Sequence, residues 1–154
     1  MTDSTPTVRL PQQFANWFQQ KGWHPHPHQL DMVASWQKGY SSLLIAPTGS
    51  GKTLSGFLPS LLDLAASDHD GIHTLYISPL KALATDIERN LMRPVTEMSL
   101  PITIESRTGD TPQSKRTRQR TKPPHILLTT PESFELMLGW PDASSLFFIS
   151  KTII

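Results

Sequence analysis

Residues 43–64, LLIAPTGSGKTLSGFLPSLLDL, begin as a leucine and isoleucine run, turn through small residues at Thr48–Gly51, and leave as a helix-forming segment. Gly49, Ser50 and Gly51 stand between the two, followed at once by Lys52 and Thr53. Glycines let a backbone wrap closely round a phosphate with several N–H groups pointing inward, and the start of a helix adds its dipole field. Lys52 then reaches the β- and γ-phosphates, and Thr53 offers a hydroxyl to Mg²⁺. The turn asks for a nucleoside triphosphate. A glycine turn that merely joined strand to helix would give no reason for a lysine and a threonine at those places. Ala46 stands where the strict pattern begins with glycine, so the match is to the relaxed form AxTGSGKT.

Outward from this turn, the 154-residue length suits one domain with a real core. With 37% hydrophobic residues, no long charge-free apolar run and no signal-peptide pattern at the N-terminus, the chain reads as soluble and cytoplasmic. Zero cysteines exclude disulfides and thiolate metal sites. Net charge is +1, yet residues 107–122, RTGDTPQSKRTRQRTK, carry +5, which leaves −4 for the remainder. That asymmetry fits either a polyanion contact or a solvated basic helix or loop. In HPHPH, residues 24–28, Pro25 and Pro27 hold the histidines extended, and no cysteine or carboxylate cluster completes a zinc site, so the segment reads as a plain loop.

From Ser41 onward, short apolar or β-branched runs alternate with turns and longer helical segments, which favours an α/β fold with a parallel sheet flanked by helices. Strands are expected at SLLIA, HTLYIS, ITIES and HILLTT, with SKTII beginning a fifth. Helices are expected from Lys52 to about Ala66, where Pro59 should kink the helix or lose a backbone bond, and from Lys81 to about Met98 with a break near Pro94. A further helix is expected from Glu132 to about Leu138, and two short amphipathic helices precede the sheet.

Two strand-to-helix turns share one design. In YISPLKAL, Ser78 can cap the helix, Pro79 suits its first turn and Lys81 follows; in LLTTPESFELML, Thr130, Pro131 and Glu132 do likewise. Either turn alone is an ordinary helix start. Parallel strands aim their carboxyl ends at one sheet edge, however, so these helix N-termini should line up beside the phosphate turn and offer N–H groups to a polyanion.

APTGSGKT, SPLKAL, RTGDTPQ and PPHILLTTPESFELML, in this order, resemble superfamily 2 helicases of the DEAD/DEAH-box type, and in particular the large helicase-related (Lhr) group, which includes ligase-associated DNA helicases. The resemblance covers essentially the whole chain after Phe14. It implies a P-loop NTPase fold of RecA-like type, with ATP and Mg as cofactors. The ATP-binding residues would be Gln29, Thr48, Gly49, Ser50, Gly51, Lys52 and Thr53, with Lys52 and Thr53 catalytic and Thr53 meeting Mg through ATP. Gln29 would read adenine through its amide, with an ordinary exposed helical glutamine as the alternative, and Trp23, Trp17 or Phe14 would stack on the base. Ser78, Pro79, Leu80, Lys81, Arg107, Thr108, Gly109, Thr130, Pro131, Glu132 and Ser133 would hold one strand of nucleic acid, single-stranded DNA above all, by its backbone. The resemblance further suggests a DNA-repair setting, with a ligase among the partners.

On this reading residues 1–40 carry the N-terminal helices and the adenine-reading glutamine, and 41–154 an incomplete first RecA-like domain. In the family a strand like KTII continues into a D-E-x-H box, and an arginine finger comes from a second domain. The chain as written would thus be a helicase front end, binding ATP and nucleic acid along one sheet edge without turnover of its own. A non-catalytic nucleotide- and nucleic-acid-binding remnant, or a small P-loop kinase, are the competing readings.

Overall fold

Phe14, Trp17 and Phe18 recur at three- and four-residue spacing, and a helix that buries all three follows from that periodicity: α1, Gln12–Gln20. The Trp17 indole meets Phe18 edge-on at 5.2 Å and Trp23 at 5.7 Å. Paired hydrogen bonds close α1, Gly22 N–H to the Gln19 carbonyl and Trp23 N–H to that of Phe18, so the last carbonyls are satisfied as the chain turns. Helix α2, Pro27–Gln37, opens with proline at its first position, where the missing N–H costs nothing. The second half of HPHPH is therefore helical, not loop. α3 spans Lys52–Ala66 with Pro59 inside it; proline has no N–H to return to the Ser55 carbonyl, as expected, yet the helix runs on.

The computed structural model describes residues 8–147 and 150–154. The chain divides into two units, Met1–Asp63 and Leu64–Ile154. The second unit holds β1 (Thr74–Ile77), α4 (Lys81–Glu97), β2 (Ile104–Arg107), α5 (Gln113–Thr121), β3 (Ile126–Thr129), α6 (Pro131–Leu138), α7 (Ala143–Phe147) and β4 (Thr152–Ile153). Its sheet is parallel throughout, in the order β2-β3-β1-β4. Every residue of central β3 is buried, which is why ILLT reads as a continuous apolar run. Ile72, Leu75, Leu127 and Met137 form one core cluster, against which Phe134, Trp140, Leu146 and Phe147 pack.

Three further expectations are corrected. SLLIA forms no strand: residues 41–47 take no regular secondary structure, and Leu43 and Ile45 are each 86% exposed. An apolar, β-branched composition does not by itself make a strand. Helix α4 passes through Pro94 without a break, because buried Leu91, Pro94 and Val95 anchor its last turns while only one backbone bond is lost. Pro79 precedes the helix, since α4 starts at Lys81 with Leu80 as its N-cap, and Ser78 Oγ accepts from Leu80 N–H at 3.4 Å instead of capping the first turn.

The outer edge of β2 is covered by side chains. Ser106 N–H donates to Glu88 Oε2 at 3.1 Å, and its carbonyl accepts from Gln119 Nε2 at 3.1 Å. The second Gln119 contact, to Glu105 Oε2 at 2.8 Å, and the Arg118–Glu105 pair at 2.8 Å fasten α5 along this edge. The basic segment is thus a helix clamped to a strand, and part of its charge is spent inside the fold.

Candidate nucleotide and nucleic-acid sites

In the first unit the phosphate turn is built from two left-handed glycines. Ser50 N–H returns to the Pro47 carbonyl at 3.3 Å, and Gly49, at φ +81°, occupies the third position of that reversal, where positive φ is needed. Gly51 follows at φ +77°, and α3 starts at the next residue. The first N–H groups of a helix have no partner within it, so those of Lys52, Thr53 and Leu54 face outward from its start, and Ser55 N–H is the first to bond back, to Gly51. Thr48, Gly49, Lys52 and Thr53 are exposed. Lys52 Nζ curls back to donate to the Ala46 carbonyl at 2.7 Å, and Ser50 Oγ donates to that of Pro47 at 2.7 Å.

Helix α2 holds this turn from one side. His28 Nε2 lies 2.9 Å from the Ser50 carbonyl, and Gln29 Nε2 donates to that of Gly51 at 3.4 Å. The oxygen of the same amide accepts from His26 N–H at 2.9 Å. Gln29 is only 2% exposed, so the alternative of an ordinary surface glutamine does not hold. An amide has two donors and two lone pairs, and the turn and the helix start use one of each; one donor and one acceptor remain, the pair that an adenine edge requires. Among the three aromatic candidates, Phe14 and Trp17 are buried in the core, whereas Trp23 is 48% exposed and lines a cavity of about 490 Å³ with Leu10, Phe18, His24 and Leu30. His28 has no motif signal in the sequence; only the packing of α2 on the turn reveals it.

The second unit delivers three turns to one rim. Ile77 pairs with Thr129, and Thr129 with Arg107, so β1, β3 and β2 end in step. The residues just beyond, Ser78, Thr130 and Thr108, therefore lie at the carboxyl edge side by side. Cross-links hold that edge: Ser78 N–H donates to the Thr129 carbonyl at 3.0 Å, and Thr129 Oγ1 to that of Arg107 at 2.7 Å. Thr130 caps α6 as expected, its hydroxyl accepting from Ser133 N–H at 3.4 Å, with Pro131 at the first position and Glu132 in the first turn.

Gly109 and Asp110 belong to a tight turn in which Thr108 N–H donates to Thr111 Oγ1 at 2.9 Å. Arg116 threads its guanidinium onto the carbonyls of Thr108 and Gly109. Lys81 Nζ sits 3.1 Å from both Asp110 oxygens, so the lysine of one turn is tied to the acid of the next. Leu80 and Lys81 are exposed. Arg107 donates to the Arg116 carbonyl at 2.9 Å and lies over the Trp140 ring, 4.7 Å from its centroid. Burial first, then the charges of Arg116 and Arg120, press the Arg107 guanidinium below its ordinary ionisation range. Asp110, Arg116 and Trp140 were not among the sequence candidates; Trp140 stands 33 positions from Arg107 and meets it only because α6 follows β3 next to β2.

A glycine turn opening a helix, and a parallel sheet that brings polar turns to one rim, define a nucleotide-binding α/β domain of RecA-like class. The DEAD/DEAH box helicase family model matches residues 26–153, and the chain belongs to that family. It is 43% identical over 151 residues to the Lhr helicase/probable uracil glycosylase of Mycolicibacterium smegmatis, covering 90% of this chain and 10% of that protein. The ATP-dependent helicase Lhr-Core of Sulfolobus acidocaldarius is 43% identical over 140 residues, covering 84% of this chain and 16% of its own. The solved structure of Mycobacterium smegmatis helicase Lhr bound to ssDNA and AMP-PNP superposes with a TM-score of 0.86 at 40% identity, over 96% of this chain and 20% of that one. The chain thus spans a small part of the length of these relatives. The family membership sets the kinase reading aside. No helix among the described residues is long and apolar enough to cross a membrane.

Proposed function

We propose that the chain is the N-terminal part of an ATP-dependent DNA helicase or translocase, binding ATP at the Thr48–Thr53 turn and single-stranded DNA along the rim of β1, β3 and β2. The observation that carries this is the in-step ending of three parallel strands, which gathers helix starts and polar turns where a polyanion can be gripped. Lys52 exchanges the Ala46 carbonyl for the β/γ-phosphates, and the outward amides at the start of α3 hold the same oxygens. Gln29 reads adenine with its remaining donor and acceptor, and Trp23 stacks on the base; with the amide so deeply covered, entry of the base requires that cover to shift.

Thr53 supplies a single hydroxyl, which suits Mg²⁺ carried in by the triphosphate, since Mg²⁺ keeps most of its shell as water and phosphate oxygen. Bound there, the ion would neutralise charge on the β- and γ-phosphates. Ser78, Leu80, Lys81, Arg107, Thr108, Gly109 and the Thr130–Ser133 helix start contact backbone phosphates, which fixes register without reading bases and makes binding strongly salt-dependent. A cytoplasmic setting, and a role in DNA repair beside a ligase, fit the Lhr likeness.

The test is binding of fluorescent ATP and GTP analogues, with and without a single-stranded oligonucleotide, to wild type, Lys52→Ala and Gln29→Ala. Lys52→Ala should weaken both nucleotides by at least about tenfold, the range of a charged hydrogen bond to phosphate. Gln29→Ala should weaken ATP and spare GTP; equal losses would remove adenine reading and leave Gln29 as a brace for Gly51.

A further inference from the structure

We propose that Trp140 is a positioning residue that holds Arg107 as a cation of the nucleic-acid rim whose charge no carboxylate cancels. This rests on the nucleic-acid reading given above. The cations around Arg107 are mostly answered by carboxylates: Lys81 by Asp110 at 3.1 Å, Arg118 by Glu105 at 2.8 Å, and Arg120 by Asp142 at 2.7 Å. Arg116 keeps its charge too, but its guanidinium is held on the carbonyls of Thr108 and Gly109. Among the described residues Arg107 meets no carboxylate; its partners are the Arg116 carbonyl and the indole face of Trp140. A carbonyl and a π-face orient a guanidinium without cancelling its charge, and that is what a phosphate-seeking side chain needs.

The indole is itself held in place. Trp140 packs against the Ile72, Leu75, Leu127 and Met137 cluster, and the Arg120 guanidinium also lies over its ring, 4.9 Å from the centroid. Arg120 in turn is gripped by both oxygens of Asp142, at 2.7 and 3.1 Å. Asp142, Arg120, Trp140 and Arg107 thus form a chain of contacts that is neutralised at one end and charged at the other. The charged end is the last residue of β2, at the rim where Thr129 and Ile77 end. Arg107 is half-buried among like charges, an arrangement that a polyanion would relieve.

The experiment is fluorescence anisotropy of a labelled oligothymidylate with the intact protein across a series of KCl concentrations, for wild type, Arg107→Ala, Trp140→Phe, Trp140→Leu and the Arg107→Ala/Trp140→Leu pair. Removing one phosphate contact to a single strand lowers the slope of log affinity against log salt by about 0.7. Arg107→Ala should show that drop, Trp140→Leu should reproduce it with an affinity loss of roughly three- to tenfold, and the pair should lose no more than Arg107→Ala alone. Trp140→Phe keeps an aromatic face and the core volume nearly intact; it should lose about twofold, with ATP-analogue binding unchanged. A wild-type slope in Trp140→Phe and in folded Trp140→Leu, or losses that multiply in the pair, would overturn the role. If wild type binds and Arg107→Ala keeps the wild-type slope, this inference falls and the nucleic-acid reading stands. If wild type does not bind the oligonucleotide, both fall.

Discussion

A Cβ placed on Gly51 would stand 2.8 Å from Gln29 Nε2, the same nitrogen that donates to the Gly51 carbonyl. The glutamine has come so close to the turn that only a glycine fits beneath it. Gly49 has a similar positive φ with nothing near its Cβ direction. The two positions therefore separate backbone strain from crowding. Both alanine variants should lose about 1–2 kcal/mol in urea unfolding, the cost of a left-handed non-glycine residue. Gly51→Ala should lose more than Gly49→Ala and should also weaken ATP-analogue binding more, because it displaces Gln29. Equal unfolding losses would mean that the contact carries no weight.

The two polar-proline turns differ in a measurable way. Thr130 accepts from Ser133 N–H and caps α6, so Thr130→Ala should cost about 1 kcal/mol of stability. Ser78 Oγ accepts from Leu80 N–H, ahead of α4, and does not cap the helix, so Ser78→Ala should cost less than that in the same chemical-denaturation series. A reversed order would show that Ser78 supports the start of α4 by a route other than this bond.

The covered edge of β2 predicts a solubility effect. Gln119→Ala takes the partner from the partly buried Ser106 carbonyl and should cost about 1 kcal/mol, less than the penalty for stranding a fully buried acceptor. It also exposes strand edge, so light scattering at high protein concentration should rise relative to wild type. Unchanged scattering together with unchanged stability would mean that water serves the edge equally well.

The Arg120 hydrogen bond holds the Asp142 carboxyl below its ordinary value of 3.8, and the Asp142 carboxylate raises the Arg120 guanidinium above its own. A carboxyl depressed in the folded state contributes stability above its unfolded pKa and loses that contribution as the pH falls through the folded one. Asp142→Asn should therefore unfold at lower urea than wild type at pH 7, by a small margin because the pair is exposed, and the two midpoints should converge as the pH falls through the lowered folded-state value. A gap that stays constant from neutral to strongly acid pH would assign the effect to packing and not to charge.

What the sequence discloses here depends on how local the cause is. The start of α3 at Lys52, the Thr130 cap and the buried strand β3 each follow from a few adjacent residues, and each was legible. The helical nature of residues 113–121 was not, because a strongly polar helix has no apolar stripe; its attachment comes from Gln119 and Arg118 reaching Glu105 on another element. SLLIA misled for the complementary reason, since its composition matches a buried strand while its burial depends on neighbours. Within the sites, the glycine turn and the rim residues carried motif signals. His28 and Trp140 did not, because each acts on a residue distant in the chain.

One flank of the sheet is shut by Glu88 and Gln119, and this gives the architecture a direction. A newcomer strand, whether from this polypeptide or a different one, would have to displace these two side chains at Ser106 to pair with β2. The rim that ends in Arg107 is therefore bounded on this flank by side chains of α4 and α5.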